Sequence, residues 1–492
     1  MGAADAGESG WGVRRSPAAT VACGLLVALL MLGSVLGREH LAADVQTWFL
    51  LTSANVLSLV LVLSSLRRTR LPHVMYAGIL AVFLVGGIFQ LYLLSYDLDE
   101  GTIISTQAPL LSFISSEDVA YVYGLLSLAF VVFCLLATVL ATIPVRPERP
   151  LASGPVHLLT FRRVLVAASI LYAGLTVLQI VVGFGQNALQ NPSLPFPLIP
   201  FTLFFRLQVY PGLLLLGIWV FDRYAMKLSY LCVGATGVVA LSDAYISTHR
   251  GAIVNFGLPI LFTWLLTGRF TKLRKSIVIA GLVGFLLVAP VLSALRLDRV
   301  FAVTETPAVT RNRPSLLSSE ALNIELGRLF LRVGGAGSML FAIDRQDALS
   351  VGSFLRVYRP YGLTDYFTFD VVGVPLHATI AQGRSPTLIG MGTLVGGVQG
   401  LVMVVALTTV GLTLAWHWII KRLWAWPVGL AILSHGALVF FSEGVTILFY
   451  KSILAIAVTE FVYRFVVRRA PSFGPGGGGE ALDQELKVPA FR

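Results

Sequence analysis

The sequence predicts an all-α, polytopic integral membrane protein with about twelve transmembrane helices and one large, partly helical external loop. Composition is the first observation that supports this fold class. Of the 492 residues, 56% are hydrophobic and 12% are charged, whereas soluble proteins carry about 25% charged residues. The second observation is a series of apolar runs of about 20 residues, the length that crosses a hydrocarbon core of about 30 Å. Together the two observations exclude a chain of soluble domains.

Apolar length defines the predicted elements in order. The predicted spans are 18–36, 47–66, 74–95, 119–143, 164–183, 201–221, 228–247, 251–267, 277–295, 391–415, 424–441 and 445–467. They divide the chain into an N-terminal tail (1–17), a first transmembrane bundle (18–295), a large external loop (296–390), a second bundle (391–467) and a tail expected to be disordered (468–492).

The basic residues predict the orientation of these spans. Lys and Arg cluster in alternate loops, as at Arg67, Arg146 and Lys272, whereas the short loops between them contain Arg38 and Arg250. Cytoplasmic loops carry the excess of Lys and Arg, so both termini are predicted to lie in the cytoplasm, with the chain in the cytoplasmic membrane. The net charge of +11 is therefore explained by the basic cytoplasmic loops of a protein surrounded by membrane lipids. No nucleic-acid partner is expected.

The predicted external loop contains ten arginines and no lysine. Arginine presents a planar fork of donors that suits phosphate or carboxylate groups. Ser319–Leu340 is predicted to be helical, with Arg328 and Arg332 on one face because they are four residues apart. These two and Arg384 are candidate substrate-binding residues. The alternatives are structural ion pairs with acids of the loop, or an amphipathic helix whose basic face lies in the lipid headgroups.

A second group of candidates surrounds the short turn between the seventh and eighth predicted spans. Arg250 and His249 in this turn are candidate catalytic residues, His249 as a proton acceptor near neutral pH. Asp243 precedes them by about two turns of helix and is expected to orient one of them. Arg206 lies inside the sixth span, where an ionisable group normally faces a cavity or a partner. The alternatives are that Arg250 snorkels to the headgroups and that His249 is a structural residue.

Other features of the spans indicate helix packing. Gly392, Gly396 and Gly400 recur at a spacing of four, which lets helices approach closely. His435 lies within a span between small residues, Ser434 and Gly436, and is expected to mark a close helix contact rather than a catalytic residue. The chain has no zinc-ligand pattern and no phosphate-binding P-loop, so neither a metal nor a cofactor is expected.

The arrangement of these features resembles the Wzy-like O-antigen and oligosaccharide-repeat-unit polymerases. The resemblance covers roughly 240–415: an external Arg250-Gly251 turn that opens a span, one large external loop, and Ser385–Gly390 leading into a glycine-rich span. It implies a metal-independent glycosyltransferase that acts on the outer face of the cytoplasmic membrane. The donor is then a glycan on undecaprenyl diphosphate, Arg250 corresponds to the family's external Arg-Gly turn, and the loop arginines belong to its substrate-binding loop.

Three alternatives stay open at this point. An O-antigen ligase-like enzyme uses the same donor and topology but another acceptor. A polyprenyl-phosphate-dependent glycosyltransferase is disfavoured because the first external loop (37–46) lacks the usual acidic pair. A membrane transporter or flippase predicts internal repeats and charged or helix-breaking residues near the middle of the membrane. For the polymerase, the expected partners are a polyprenyl-diphosphate-linked glycan and other polysaccharide export proteins.

Overall fold

The described helices agree with most of the predicted spans. A computed structural model describes residues 45–67, 73–84, 116–145, 157–183, 198–224, 226–247, 251–267, 291, 336–343, 387–443 and 447–467. Within these residues the structure is all-helical and contains no strand, which confirms the all-α part of the predicted fold class. The predicted span 18–36 and nearly all of 277–295 lie outside the described residues. The total of twelve spans and the external loop therefore stay predictions.

The helices are numbered in chain order. They are α1 (Val45–Leu66), α2 (Val74–Ala81), α3 (Ser116–Ala141), α4 (Leu158–Val182), α5 (Leu198–Phe204), α6 (Tyr210–Tyr224), α7 (Met226–Ser247), α8 (Gly251–Leu266), α9 (Ala336–Ile343), α10 (Thr387–Arg422), α11 (Trp426–Glu443) and α12 (Ile447–Val462). A π-helical turn, Phe205–Val209, joins α5 to α6, and a second one, Tyr463–Val467, follows α12.

Six helical segments of the described residues are long and apolar enough to cross a membrane: α1, α3, α4, the continuous α5–α6 segment, α7 and α10. Their outward faces are apolar as well, with Val181, Ile170 and Leu231 between 68% and 77% exposed. Large apolar side chains in this number are unfavourable in water and are typical of helices surrounded by lipid. The chain is therefore a membrane-embedded protein.

Helix α11 lies at the centre of the described bundle. It packs against α2, α6, α8, α10 and α12, and none of its described side chains from Trp426 to Ser442 is exposed. Phe441 of α11 meets the rings of Phe83 and Phe133, each with ring centroids 5.8 Å apart and in edge-to-face geometry. Such aromatic contacts fix the helices that surround α11.

Helix α10 is broken near its start. Gly396 and Gly397 have non-helical backbone angles, and Gly397 has a φ of 52°, which favours glycine. A Cβ added to Gly392 would lie 2.7 Å from the Cα of Leu401, although residues so far apart in a straight helix are separated by about 13 Å. The chain therefore doubles back at the break. The predicted glycine stripe does permit a close approach, but between two segments of the same helix.

A buried carboxylate fixes the short connection between α10 and α11. Glu460 of α12 accepts hydrogen bonds from the backbone N–H of Trp424 at 3.0 and 3.1 Å and of Ala425 at 2.9 Å. Arg464, one turn further along, forms an ion pair with the same carboxylate at 2.5 Å. The N–H groups that precede α11 are thus satisfied by a side chain from the next helix.

Candidate functional site

Arg206 is the sequence-predicted site residue that the structure describes. Arg250, His249, Arg328, Arg332 and Arg384 lie outside the described residues, as does Ser319–Leu340 apart from the five residues that begin α9. The roles assigned to these residues therefore stay predictions.

The Arg206 side chain is buried between α4 and α7, with 1% of its surface exposed. Its Nε donates a hydrogen bond to the hydroxyl of Thr176 at 3.0 Å, and its Nη2 donates to the hydroxyl of Tyr172 at 3.5 Å. The guanidinium carbon lies 5.2 Å from the centre of the Tyr172 ring, within the range of a cation–π interaction. Both partners are on α4, so this helix determines the orientation of the guanidinium.

The carboxylate of Asp243 on α7 lies near the same guanidinium. Its Oδ1 lies 4.0 Å from Nη2 of Arg206, at the outer limit of an ion pair. Arg250 and His249 lie outside the described residues, so the expectation that Asp243 orients one of them stays a prediction; among the described residues Asp243 forms an ion pair with Arg206. The charge of an intramembrane arginine is thus partly balanced by an acid on the neighbouring helix, as is usual for ionisable groups in membranes.

Pro211 explains the π-helical turn that carries Arg206. Proline has no backbone N–H and its ring crowds the preceding turn of a helix, so the regular hydrogen-bond ladder is interrupted there. The chain responds with the π-helical turn Phe205–Val209, in which the N–H of Tyr210 bonds to the carbonyl of Phe205, five residues earlier. Such turns are frequent at functional sites. The sequence around Arg206 therefore dictates a locally widened helix.

The pairing of α4 with the Arg206 segment has a clear register. Ser169 donates to or accepts from the hydroxyl of Tyr210 at 2.8 Å, and Thr176 bonds to Arg206. As the residue number rises on α4 it falls on the facing segment, so the two run antiparallel. One turn further along, Gln179 of α4 and Thr202 of α5 are at the same level. This level lies towards the end of the bundle at Val182.

Three polar atoms of α4 and of the segment that contains α5 and Arg206 are buried without a hydrogen-bond partner in the described part of the chain. Among the described residues, Nη1 of Arg206, Oε1 of Gln179 and Oγ1 of Thr202 have none. Buried polar groups are nearly always hydrogen-bonded, and those that protein atoms leave unpaired usually bind water or a ligand. The guanidinium has five N–H donors, and those on Nη1 remain for an acceptor such as a phosphate oxygen. We call Tyr172, Thr176, Gln179, Thr202, Arg206 and Asp243 the Arg206 cluster.

A second polar pair lies on the neighbouring helices. Nε2 of His435 on α11 is 3.3 Å from Oδ1 of Asn255 on α8. The sequence predicted that His435 marks a close helix contact, and this hydrogen bond is such a contact. Asn255 was not among the residues predicted from the sequence. A signal was available, because Asn255 is a polar residue as far after the 248–250 turn as Asp243 is before it.

Metal ligands are not grouped in the described part of the chain, where no three His, Cys, Asp or Glu residues come together.

Comparison with protein-family models, with curated proteins and with solved structures finds no match to this chain.

Proposed function

We propose that the protein is a glycosyltransferase that polymerises oligosaccharide repeat units carried on undecaprenyl diphosphate, at the outer face of the cytoplasmic membrane. The observation that carries this proposal is the unpaired Nη1 of Arg206, a buried cationic donor inside a membrane-embedded helix bundle. A fixed cation in a site of low dielectric constant stabilises negative charge that develops in a transition state. The resemblance of 240–415 to the Wzy-like polymerases supplies the substrate class.

The chemistry of the proposed reaction needs such a cation. The acceptor hydroxyl attacks C1 of the donor sugar, the C1–O bond breaks, and the electron pair of that bond passes to the lipid diphosphate. Arginine stays charged in proteins and binds phosphate with two parallel donors. In the Arg206 cluster, Thr176 and Tyr172 hold one edge of the guanidinium, which leaves the Nη1 edge for the leaving group.

The other sequence-predicted residues have roles in the same proposal. Arg250 also binds the diphosphate, His249 lies beside it as the proton acceptor that the sequence alone offers, and Arg328, Arg332 and Arg384 bind the substrate from the external loop. The outward position of the site follows from the predicted orientation, in which the Val182 end of α4 and the 248–250 turn face away from the cytoplasm.

The broken helix α10 favours a second candidate, a transporter or flippase. Transporters bind substrates at discontinuous helices near the middle of the membrane. In α10, however, the segment after Gly397 is long enough to cross the membrane alone, at about 37 Å for its 25 residues. The break therefore lies at one end of the crossing, which favours the polymerase over the transporter.

Deletion of the gene distinguishes these candidates. We expect the deletion strain to accumulate single repeat units on the lipid carrier in the outer leaflet, because units are still exported but no longer joined. A ligase-like enzyme predicts long chains on the carrier instead. A flippase predicts single units that stay in the inner leaflet and are protected from an externally added glycosidase. Either of the last two outcomes contradicts the polymerase.

A further inference from the structure

The Arg206–Asp243 ion pair and the His435–Asn255 hydrogen bond lie at the same depth in the bundle. Asp243 is four residues before the end of α7, and Asn255 is four residues after the start of α8. Each is therefore about 6 Å inside its helix end, and three residues (248–250) separate the two helices along the chain. Since α7 packs against α8, the two arms of this helical hairpin present an acid to Arg206 and an amide to His435 at the same level.

Helix α6, which continues from the Arg206 turn, connects the two pairs. It packs against α7, α8 and α11, the helices that carry Asp243, Asn255 and His435. Packed helices are separated by about 8–10 Å. A sugar residue and its attached diphosphate have dimensions comparable to this separation of neighbouring helices.

The hydrogen bond to Asn255 defines the chemistry of His435. An amide oxygen accepts hydrogen bonds and cannot donate them, so with Oδ1 facing the ring the hydrogen is on Nε2. Nδ1 of the neutral ring then has its lone pair free for a proton. Asn255 is the hydrogen-bond partner that the described residues give to His435.

His435 is packed inside the bundle but is not completely buried. Its side chain is half-buried, although α11 is surrounded by five helices of the described bundle. The residues on either side of it, Ser434 and Gly436, are buried.

We propose that His435 is the general base of the glycosyl transfer and that Asn255 is its positioning residue; this inference rests on the proposed function. Nδ1 of His435 takes the proton of the acceptor hydroxyl while the acceptor oxygen bonds to C1 of the donor sugar. The C1–O bond to the diphosphate breaks, and its electron pair passes to the leaving group near Arg206. The imidazolium then returns its proton to water. On this assignment His435, rather than His249, removes the proton.

The test uses the full-length protein in vesicles with a synthetic repeat unit on a polyprenyl diphosphate. General bases contribute about 100- to 10,000-fold to rates, so His435→Ala is expected to slow elongation at least 100-fold while binding of the donor is retained. Added imidazole is expected to restore part of the rate, which a structural role would not allow. Asn255→Ala is expected to cause a smaller loss and to move the pH–rate profile. His417→Gln, at the other end of the bundle, is the matched control and should elongate normally.

The outcomes separate the inference from the proposed function. If the wild-type protein does not elongate the repeat unit, both are wrong. If it elongates and His435→Ala does so at the wild-type rate, the inference alone is wrong. A slow His435→Ala variant without imidazole rescue, and with an unchanged pH profile in Asn255→Ala, also contradicts the base assignment. Should His435→Ala not fold, as judged by size-exclusion chromatography, His435→Gln replaces it because the glutamine keeps a donor for Asn255.

Discussion

Replacement of the Arg206–Asp243 pair is expected to separate stability from function. Arg206→Met keeps an apolar chain of similar length but removes the guanidinium that lies 4.0 Å from the Asp243 carboxylate. Loss of one partner of a buried ion pair costs about 3–5 kcal/mol, and the long contact places this pair at the low end. The two lost hydrogen bonds cost about 1 kcal/mol each, whereas removal of the unpaired Nη1 recovers about 1–3 kcal/mol. The single variant should therefore lose about 3 kcal/mol.

The double variant Arg206→Met with Asp243→Leu should behave differently. Buried ion pairs that are replaced by apolar residues usually leave a protein equally stable or more stable by about 1–4 kcal/mol. We expect the double variant to be about 2–3 kcal/mol more stable than Arg206→Met alone and to be inactive in elongation.

The assay is the midpoint of thermal unfolding in one detergent, followed by the loss of the monodisperse peak in size-exclusion chromatography, together with elongation in vesicles. Thr52→Ala on α1, distant in the chain from the pair, is the control for the effect of a substitution elsewhere. If the losses of stability in Arg206→Met and in Asp243→Leu, each made alone, simply add in the double variant, the two side chains are not coupled. If the double variant elongates normally, Arg206 serves structure alone.

Three further predictions follow from the fold. Glu460→Ala should destabilise the protein by about 3 kcal/mol, because a buried carboxylate then no longer satisfies the N–H groups before α11. Arg464→Ala should cost less than about 1 kcal/mol, because its side chain is 42% exposed. Equal losses of stability in the two variants would contradict this account. Gly400→Ala should lower the unfolding midpoint, since its Cβ meets the Gly392 carbonyl oxygen, whereas Gly411→Ala, with open space around it, should not; a neutral Gly400→Ala would refute the close approach. Alkaline phosphatase fused within 296–390 should be active, and an inactive fusion would overturn the predicted topology.

The fold class could be predicted from the sequence because a membrane imposes it. Runs of apolar residues long enough to cross the hydrocarbon core need internal backbone hydrogen bonds, and helices provide them. The helix ends were less predictable: α4 begins at Leu158 rather than near 164, and α10 extends from Thr387 to Arg422. The basic residues near these ends lie within the helices. A prediction from apolar length excludes them, because they interrupt the apolar run.

Arg206 could be selected as a candidate site residue from the sequence because a charge inside an apolar span is costly and therefore conspicuous. Its partners could not. Thr176 and Asp243 lie on helices that are apolar on all sides, so no periodicity indicates which face meets which neighbour. Pro211 was a visible signal for a distorted helix, but its effect on the orientation of Arg206 depends on packing against α4.

The glycine stripe shows a similar limit. A spacing of four residues predicts a surface that permits close approach, and Gly392 and Gly400 do approach backbone closely. The spacing carries no information about whether that backbone belongs to another helix or to the same one. The positive φ of Gly397 produces the break, and an adjacent Gly396–Gly397 pair was the signal in the sequence.

Elongation by the purified protein in vesicles tests the central claim most directly. The substrate is a synthetic repeat unit on polyprenyl diphosphate, and the products are measured as a chain-length distribution. The wild-type protein should produce a ladder of chains, and Arg206→Ala should slow it by about 100- to 1,000-fold, the usual effect of removing one donor to a transition-state anion. Arg163→Ala, an exposed arginine near the other end of α4, should elongate normally. A wild-type rate in Arg206→Ala, or no ladder with the wild-type protein, would contradict the account.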